Sequence, residues 1–193
     1  MLYAATAAGA LVLLALLVRC RGRRDAKQRI KTLVVLGSGG HTAEMLRLIT
    51  DFDFDRYTPL TLVTAATDTT SRAKAERELP REALATARWV QIPRAREVGQ
   101  SFVTSVPSTL RALFACVHLI WTASPDLVLV NGPGTCVPVA VLARLFGSRV
   151  IFAESWCRVS TLSLTGRIMY WVAHRFVVHW PELARRYPRA EYL

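Results

Sequence analysis

Six short β-rich runs, most of them apolar and each followed by a stretch of helical pattern, set the strongest limit on what this chain can fold into. The runs are Thr32–Leu36, Leu60–Ala65, Arg88–Ile92, Leu127–Val130, Val150–Ala153 and Phe176–His179. Strands that stay apolar along their length, without alternation, are buried on both faces. The stretches between them read as helices: Thr42–Ile49; Ser71–Ala87, broken near Pro80; Pro107–Trp121, with proline in its first turn; Thr135–Phe146, ended by Gly147; Thr165–Ala173; and Pro181–Tyr187. Strand and helix in alternation predict an α/β fold, a Rossmann-like doubly wound parallel sheet over residues 32–193. There is no internal repeat and no low-complexity linker.

Ahead of this domain lies a different kind of sequence. From Leu2 to Val18 there is no charge, no proline and one glycine. Those residues would span roughly 26 Å as a helix, close to the roughly 30 Å of a bilayer's hydrocarbon core. Residues 19–31 then hold seven basic side chains against Asp25, which is +6 of the chain's net +11. A secretory signal has its positive charge before the apolar run and a small-residue cleavage site after it. Here the order is reversed, so the bias predicts a transmembrane anchor over 1–18 and a basic cytosolic linker over 19–31. The alternatives are a signal peptide or a mitochondrial presequence, and the apolar run is too continuous to be the amphipathic helix of the second. The basic cluster has no interleaved aromatics and lies against the membrane, so its partners are anionic headgroups and not nucleic acid.

Cys20, Cys116, Cys136 and Cys157 never fall at C-x-x-C spacing, so neither a zinc nor a thioredoxin motif is indicated. They read as cytosolic free thiols, with Cys20 placed for palmitoylation beside the membrane.

In a doubly wound sheet, ligands bind beyond the carboxyl ends of the strands where strand order reverses. For the common order that point lies between the first and fourth strands. The two most glycine-rich segments follow those two strands: Gly37-Ser38-Gly39-Gly40-His41-Thr42 and Asn131-Gly132-Pro133-Gly134-Thr135. The first lets the backbone turn tightly toward an anion with a helix N-terminus behind it. It lacks the Gly-Lys-Ser/Thr of a Walker loop and the third glycine of a dinucleotide fingerprint. Asp68, after the second strand, is poorly placed as a ribose ligand, so a nicotinamide or flavin enzyme is disfavoured and no cofactor is implied. A glycine turn that only packs helix on strand is the alternative reading. His41 sits where the helix dipole favours a neutral imidazole, which could act as a base or bind a phosphate oxygen, or simply cap the helix. Asn131 and Thr135 offer polar side chains beside exposed backbone, or form a tight turn around Pro133.

Glu154 ends the fifth strand with Ser155 and Arg158 nearby; it could bind a sugar hydroxyl, act as a base or pair with Arg158. Arg94 and Arg96 follow the third strand with Glu97, either as a solvated charge pair or as pyrophosphate contacts. His118, His174 and His179 lack metal spacing and read as structural.

At these residues a family resemblance emerges. Leu36–Met45, Pro93–Val98, Pro125–Pro138, Glu154–Val159, Trp180-Pro181-Glu182-Leu183 and Tyr187-Pro188, behind an N-terminal anchor, closely resemble the membrane-anchor subunit of the eukaryotic transferase that adds the second GlcNAc to dolichol-pyrophosphate-GlcNAc. The Gly-Gly-His element alone is shared with the bacterial lipid-linked GlcNAc transferase of peptidoglycan synthesis. The segment Asp51–Leu84 matches weakly, apart from Ala66-Thr67-Asp68 and Ser71. Relatives continue past Tyr-Leu with a glycine and a few residues tied to partner docking. This chain's last residues are Tyr192-Leu193, and partner affinity is the property that departure touches.

The resemblance implies the acceptor-side half of a GT-B glycosyltransferase split over two chains. A soluble donor-binding subunit would bring UDP-GlcNAc. The acceptor would be lipid-linked GlcNAc on the cytosolic face of the endoplasmic reticulum, with the N-terminus lumenal. The preceding dolichol-phosphate GlcNAc-1-phosphate transferase is a further expected membrane partner. The 162 residues after the linker are about half of what two Rossmann-like domains need. On this reading Gly37, Ser38, Gly39, Gly40, Thr42, Asn131, Gly132, Gly134, Thr135, Arg94 and Arg96 would hold the acceptor pyrophosphate, and His41 or Glu154 would assist deprotonation. The chain is expected to be inactive alone. Two alternatives stand beside it: a membrane adaptor with no catalytic residues, and a self-sufficient membrane glycosyltransferase.

Overall fold

A computed structural model describes residues 29–93 and 102–193, with side chains in the second segment from 111 onward. The anchor, most of the basic linker, Cys20, Arg94, Arg96 and Glu97 lie outside the described residues. Among the described residues no helix is long and apolar enough to cross a membrane.

The chain runs β1 (Thr32–Val35), α1 (Gly40–Ile49), β2 (Leu60–Ala65), α2 (Ser71–Glu78), α3 (Arg81–Thr86), β3 (Arg88–Ile92), α4 (Phe102–Ala123), β4 (Leu127–Asn131), α5 (Cys136–Leu145), β5 (Arg149–Ala153), α6 (Leu164–Val172), β6 (Arg175–Val178), α7 (Pro181–Arg186) and β7 (Ala190–Tyr192). All strands are parallel, in the order β3-β2-β1-β4-β5-β6-β7. Strand order therefore reverses between β1 and β4, as expected for the common doubly wound order.

Alternate side chains of one strand point to opposite faces, and both faces are packed. Leu33 and Val35 join Val128, Val130, Val150, Phe152 and Phe176 under α4, α5 and α6. Val34 and Leu36 join Leu60, Leu62 and Leu129 under α1 and α2. Phe152 and Phe176 stack at 5.1 Å between ring centres. His174 Nδ1 accepts from the Val150 amide at 3.0 Å, so this histidine ties β5 to β6.

Two features depart from the sequence reading. The sheet has a seventh strand. Ala190–Tyr192 carries no apolar run, yet it pairs with β6, and a forked ion pair between Arg175 and Glu191 spans the junction. The partner strand and that ion pair, not local hydrophobicity, make the strand. The long helix begins at Phe102, five residues ahead of Pro107, so proline falls in its second turn. Proline's fixed φ near −65° is helical, and the loss of one backbone bond does not end a 22-residue helix.

Cys116 and Cys136 are buried free thiols, and burial pushes both up to about 12. They are packing residues with no nucleophilic role.

Candidate functional site

After β1 the chain turns through Gly37–Gly39, and α1 starts at Gly40. Gly39 has φ 66°, a left-handed value that favours glycine. The Gly37 carbonyl accepts a hydrogen bond from the buried Thr42 hydroxyl, and the buried Ser71 oxygen lies 3.0 Å from it. The N-terminus of α1 has no capping side chain and no acid in its first turn. Its first amides have no acceptor within the helix, so this end carries an open positive partial charge. Lys74, on α2, donates from Nζ to the Gly39 carbonyl at 3.1 Å.

Asp68 braces this loop from the side. It accepts from the Thr70 and Ser71 amides, both at 3.0 Å, and from the Ser71 hydroxyl. Burial works to raise its carboxyl, but the Ser71 side chain and amide, with Thr70, outweigh burial and hold it below the usual value. A carboxylate lowered by folding stabilises the fold above its unfolded pKa, and that contribution disappears as pH falls through the lower folded value. The melting temperature of Asp68→Asn is therefore expected to lie below the parent's at pH 7, with the gap closing below about pH 4. Thermal melts of both forms across pH 3 to 7 check this; a gap constant with pH would refute it.

The second loop closes on the first. Asn131, the last residue of β4 and 1% exposed, donates from Nδ2 to the His41 carbonyl at 2.9 Å. Gly132 has φ 63°, and a Cβ there would lie 2.2 Å from His41 Nδ1. The imidazole thus rests directly on the Gly132 backbone. Gly37 holds it from below: a Cβ there would meet the His41 Cβ at 2.7 Å. Ser38 and Gly134 are exposed, and Thr135 is half-buried at the start of α5 with no hydroxyl cap bond.

Beneath His41 lies Glu44, 9% exposed. Its Oε1 accepts from the Ser155 hydroxyl at 2.8 Å and the Trp156 amide at 3.3 Å. Its Oε2 lies 3.4 Å from His41 Nδ1 and accepts from Asn131 Nδ2 at 3.4 Å. The carboxylate joins the loops after β1, β4 and β5. Sequence reasoning missed Glu44, Ser71 as a loop brace, and Lys74. The available signal for Glu44 was its place three residues after His41, on the same side of α1.

Glu154 is brought to the same edge of the sheet but faces elsewhere. It is 1% exposed, with Oε1 accepting from the Ser155 amide and Oε2 from the Ser163 amide and hydroxyl, all at 3.0 to 3.1 Å. Ser163 caps α6, so Glu154 sits on that helix's N-terminus. Among the three options read from the sequence, the geometry is that of a structural carboxylate. Its partner is the helix end, however, and not Arg158. Among the described residues no cluster of His, Cys, Asp and Glu could hold a metal ion.

Residues 32–193 match the family model described as "Oligosaccharide biosynthesis protein Alg14 like". The chain is 41% identical over 180 residues to UDP-N-acetylglucosamine transferase subunit ALG14 of Homo sapiens, covering 86% of this chain and 83% of that one. It is 40% identical over 210 residues to the subunit of the same name from Mus musculus, covering 100% and 96%. With the Schizosaccharomyces pombe subunit, identity is 37% over 196 residues, covering 94% and 93%. Among solved structures, Acinetobacter baumannii MurG superposes with a TM-score of 0.56 at 18% identity, over 78% of this chain. A putative UDP-N-acetylglucosamine 2-epimerase from Listeria monocytogenes superposes with 0.59 at 13% identity, over 83% of this chain. The likeness to these two is one of fold, and the chain spans 41% and 42% of their lengths.

Proposed function

The chain belongs to the Alg14-like family of oligosaccharide biosynthesis proteins, and on that footing we propose that it is the acceptor-side subunit of a two-chain UDP-N-acetylglucosamine transferase. The product is GlcNAc2-pyrophosphoryl-dolichol, an N-glycan precursor. A separate soluble subunit binds UDP-GlcNAc. Residues 1–18 anchor the pair in the endoplasmic reticulum membrane, and the basic residues 19–31 keep the domain on the cytosolic face, where the lipid acceptor is presented.

The observation that carries this reading is the uncapped N-terminus of α1 lying beside His41 at the point where strand order reverses. An uncapped helix end is suited to a pyrophosphate, and the Lys74 ammonium adds charge on the same loop. The described residues form one sheet, and they match less than half of the length of the related solved folds. Both facts fit a subunit that supplies half of a site.

The chemistry is an inverting displacement. The acceptor's 4-hydroxyl oxygen attacks the anomeric carbon of the donor sugar. The bond from that carbon to the β-phosphate oxygen breaks, and UDP leaves with the electron pair. His41 takes the hydroxyl proton at Nε2. The α1 amides and Lys74 hold the acceptor pyrophosphate still, which turns encounter into alignment. Arg94 and Arg96 would add to that hold.

A transfer assay with UDP-GlcNAc and a short lipid-pyrophosphate-GlcNAc acceptor tests the assignment. The full chain in vesicles is expected to show no turnover alone and full turnover once the donor-binding subunit is added. Turnover by the chain alone would overturn the half-site reading.

A further inference from the structure

We infer that Glu44 is the positioning residue of His41, holding the imidazole so that Nε2 is the nitrogen presented to the acceptor hydroxyl. The inference rests on the reading of His41 as the base. Its grounds are geometric. His41 Nδ1 is buried and has no hydrogen-bond partner among the described residues, while the side chain as a whole is 34% exposed. Nε2 is not among the buried, unpartnered atoms, so it is the ring nitrogen open to a ligand. The group that Nδ1 faces is Glu44 Oε2, at 3.4 Å. A carboxylate there favours the tautomer with its proton on Nδ1 and leaves the Nε2 lone pair free. When the hydroxyl proton arrives at Nε2, the same carboxylate stabilises the imidazolium that forms.

Glu44 is itself held. The Ser155 hydroxyl and the Trp156 amide fix Oε1 at 2.8 and 3.3 Å, and Asn131 Nδ2 touches Oε2. The side chain is 11% exposed, so its charge is weakly screened by solvent. Gly132 removes the wall that would push the ring off this line. Three loops thus converge on one ring orientation. A buried carboxylate reaching across two loops to a histidine is more than a single helix needs for its stability.

The test is a double-mutant cycle in the complex of the full chain with its donor-binding subunit. Glu44→Gln keeps the shape and can still accept from Ser155 and Trp156, but it loses the charge. It is expected to lower kcat about thirtyfold with KM changed less than about twofold, because the effect arises with charge in the transition state. The decisive arm is the pair. If Glu44 acts through His41, the double variant Glu44→Gln/His41→Ala is no slower than His41→Ala. Were Glu44 only structural, the two losses would multiply, and that result overturns the inference. Ser155→Ala, which removes one support of the carboxylate, is expected to cost about threefold in the parent and nothing in the His41→Ala background; it also serves should Glu44→Gln fail to fold. A normal kcat for Glu44→Gln beside an inactive His41→Ala removes the inference and leaves the base assignment standing. Full activity of His41→Ala removes both.

Discussion

Gly132→Ala is expected to reduce GlcNAc transfer by about a hundredfold or more, at a stability cost of about 1–2 kcal/mol. The stability cost arises because the residue's φ of 63° crowds any L side chain. The activity cost has another source. A Cβ at this position would lie 2.2, 2.3 and 2.5 Å from three atoms of the His41 ring. Real Cβ atoms do not approach that closely, so the imidazole must leave its place. A displacement near 1 Å is enough to spoil a proton transfer that needs hydrogen-bond distance. Gly147→Ala separates the two effects. Its φ is 84°, equally unsuited to alanine, but nothing lies within 4 Å of the added carbon. It is expected to lower the melting temperature in a similar way while leaving kcat unchanged. Equal losses of activity in the two variants would show that strain, not the histidine, governs the effect.

Glu154→Ala is expected to destabilise the domain by about 3 kcal/mol or more. The deletion leaves the buried amides of Ser155 and Ser163 and the Ser163 hydroxyl without their acceptor, and takes a negative charge from the N-terminus of α6. No water-exposed route compensates, since Glu154 is 1% exposed. Glu154→Gln should also lose stability, because whichever way the amide turns, its nitrogen faces a backbone N–H where a carboxylate oxygen now accepts. Gly166 enforces the same geometry: a Cβ there would lie 2.0 Å from Oε2. Urea unfolding of both variants beside the parent measures this. If Glu154→Gln kept full stability and lost transfer, the carboxylate would belong to the reaction.

The strands that could be read from the chain were those rich in aliphatic and β-branched residues, such as Leu60–Ala65 and Leu127–Val130, because burial on both faces keeps charged residues out of the pattern. The break between α2 and α3 was legible from Pro80, and the position of the crevice followed from strand order. What escaped depended on distant partners. Ala190-Glu191-Tyr192 is a strand because β6 offers an edge and Arg175 meets Glu191. Glu44 looks like one acid on an amphipathic helix until Ser155, 111 residues away, donates to it. Glu154 stands one residue before Ser155, yet a turn of backbone sends it to α6 while its neighbour reaches Glu44. Nothing local in Glu-Ser distinguishes those two directions.

The order of the strands also sets how this domain can be made. β1 is the first of the described strands to be synthesised and lies in the interior of the sheet, with β2 on one side and β4 on the other. Its second edge stays open until residue 127 arrives to pair with Thr32. The contact beside that pairing, Lys31 to Asp126, closes a loop of 95 residues. Loop closure of that length must precede its reward, which makes folding slow compared with a helical protein of equal size. Until then the nascent chain exposes an apolar parallel edge, a template for wrong partners. Refolding from urea should therefore show aggregation that rises with protein concentration.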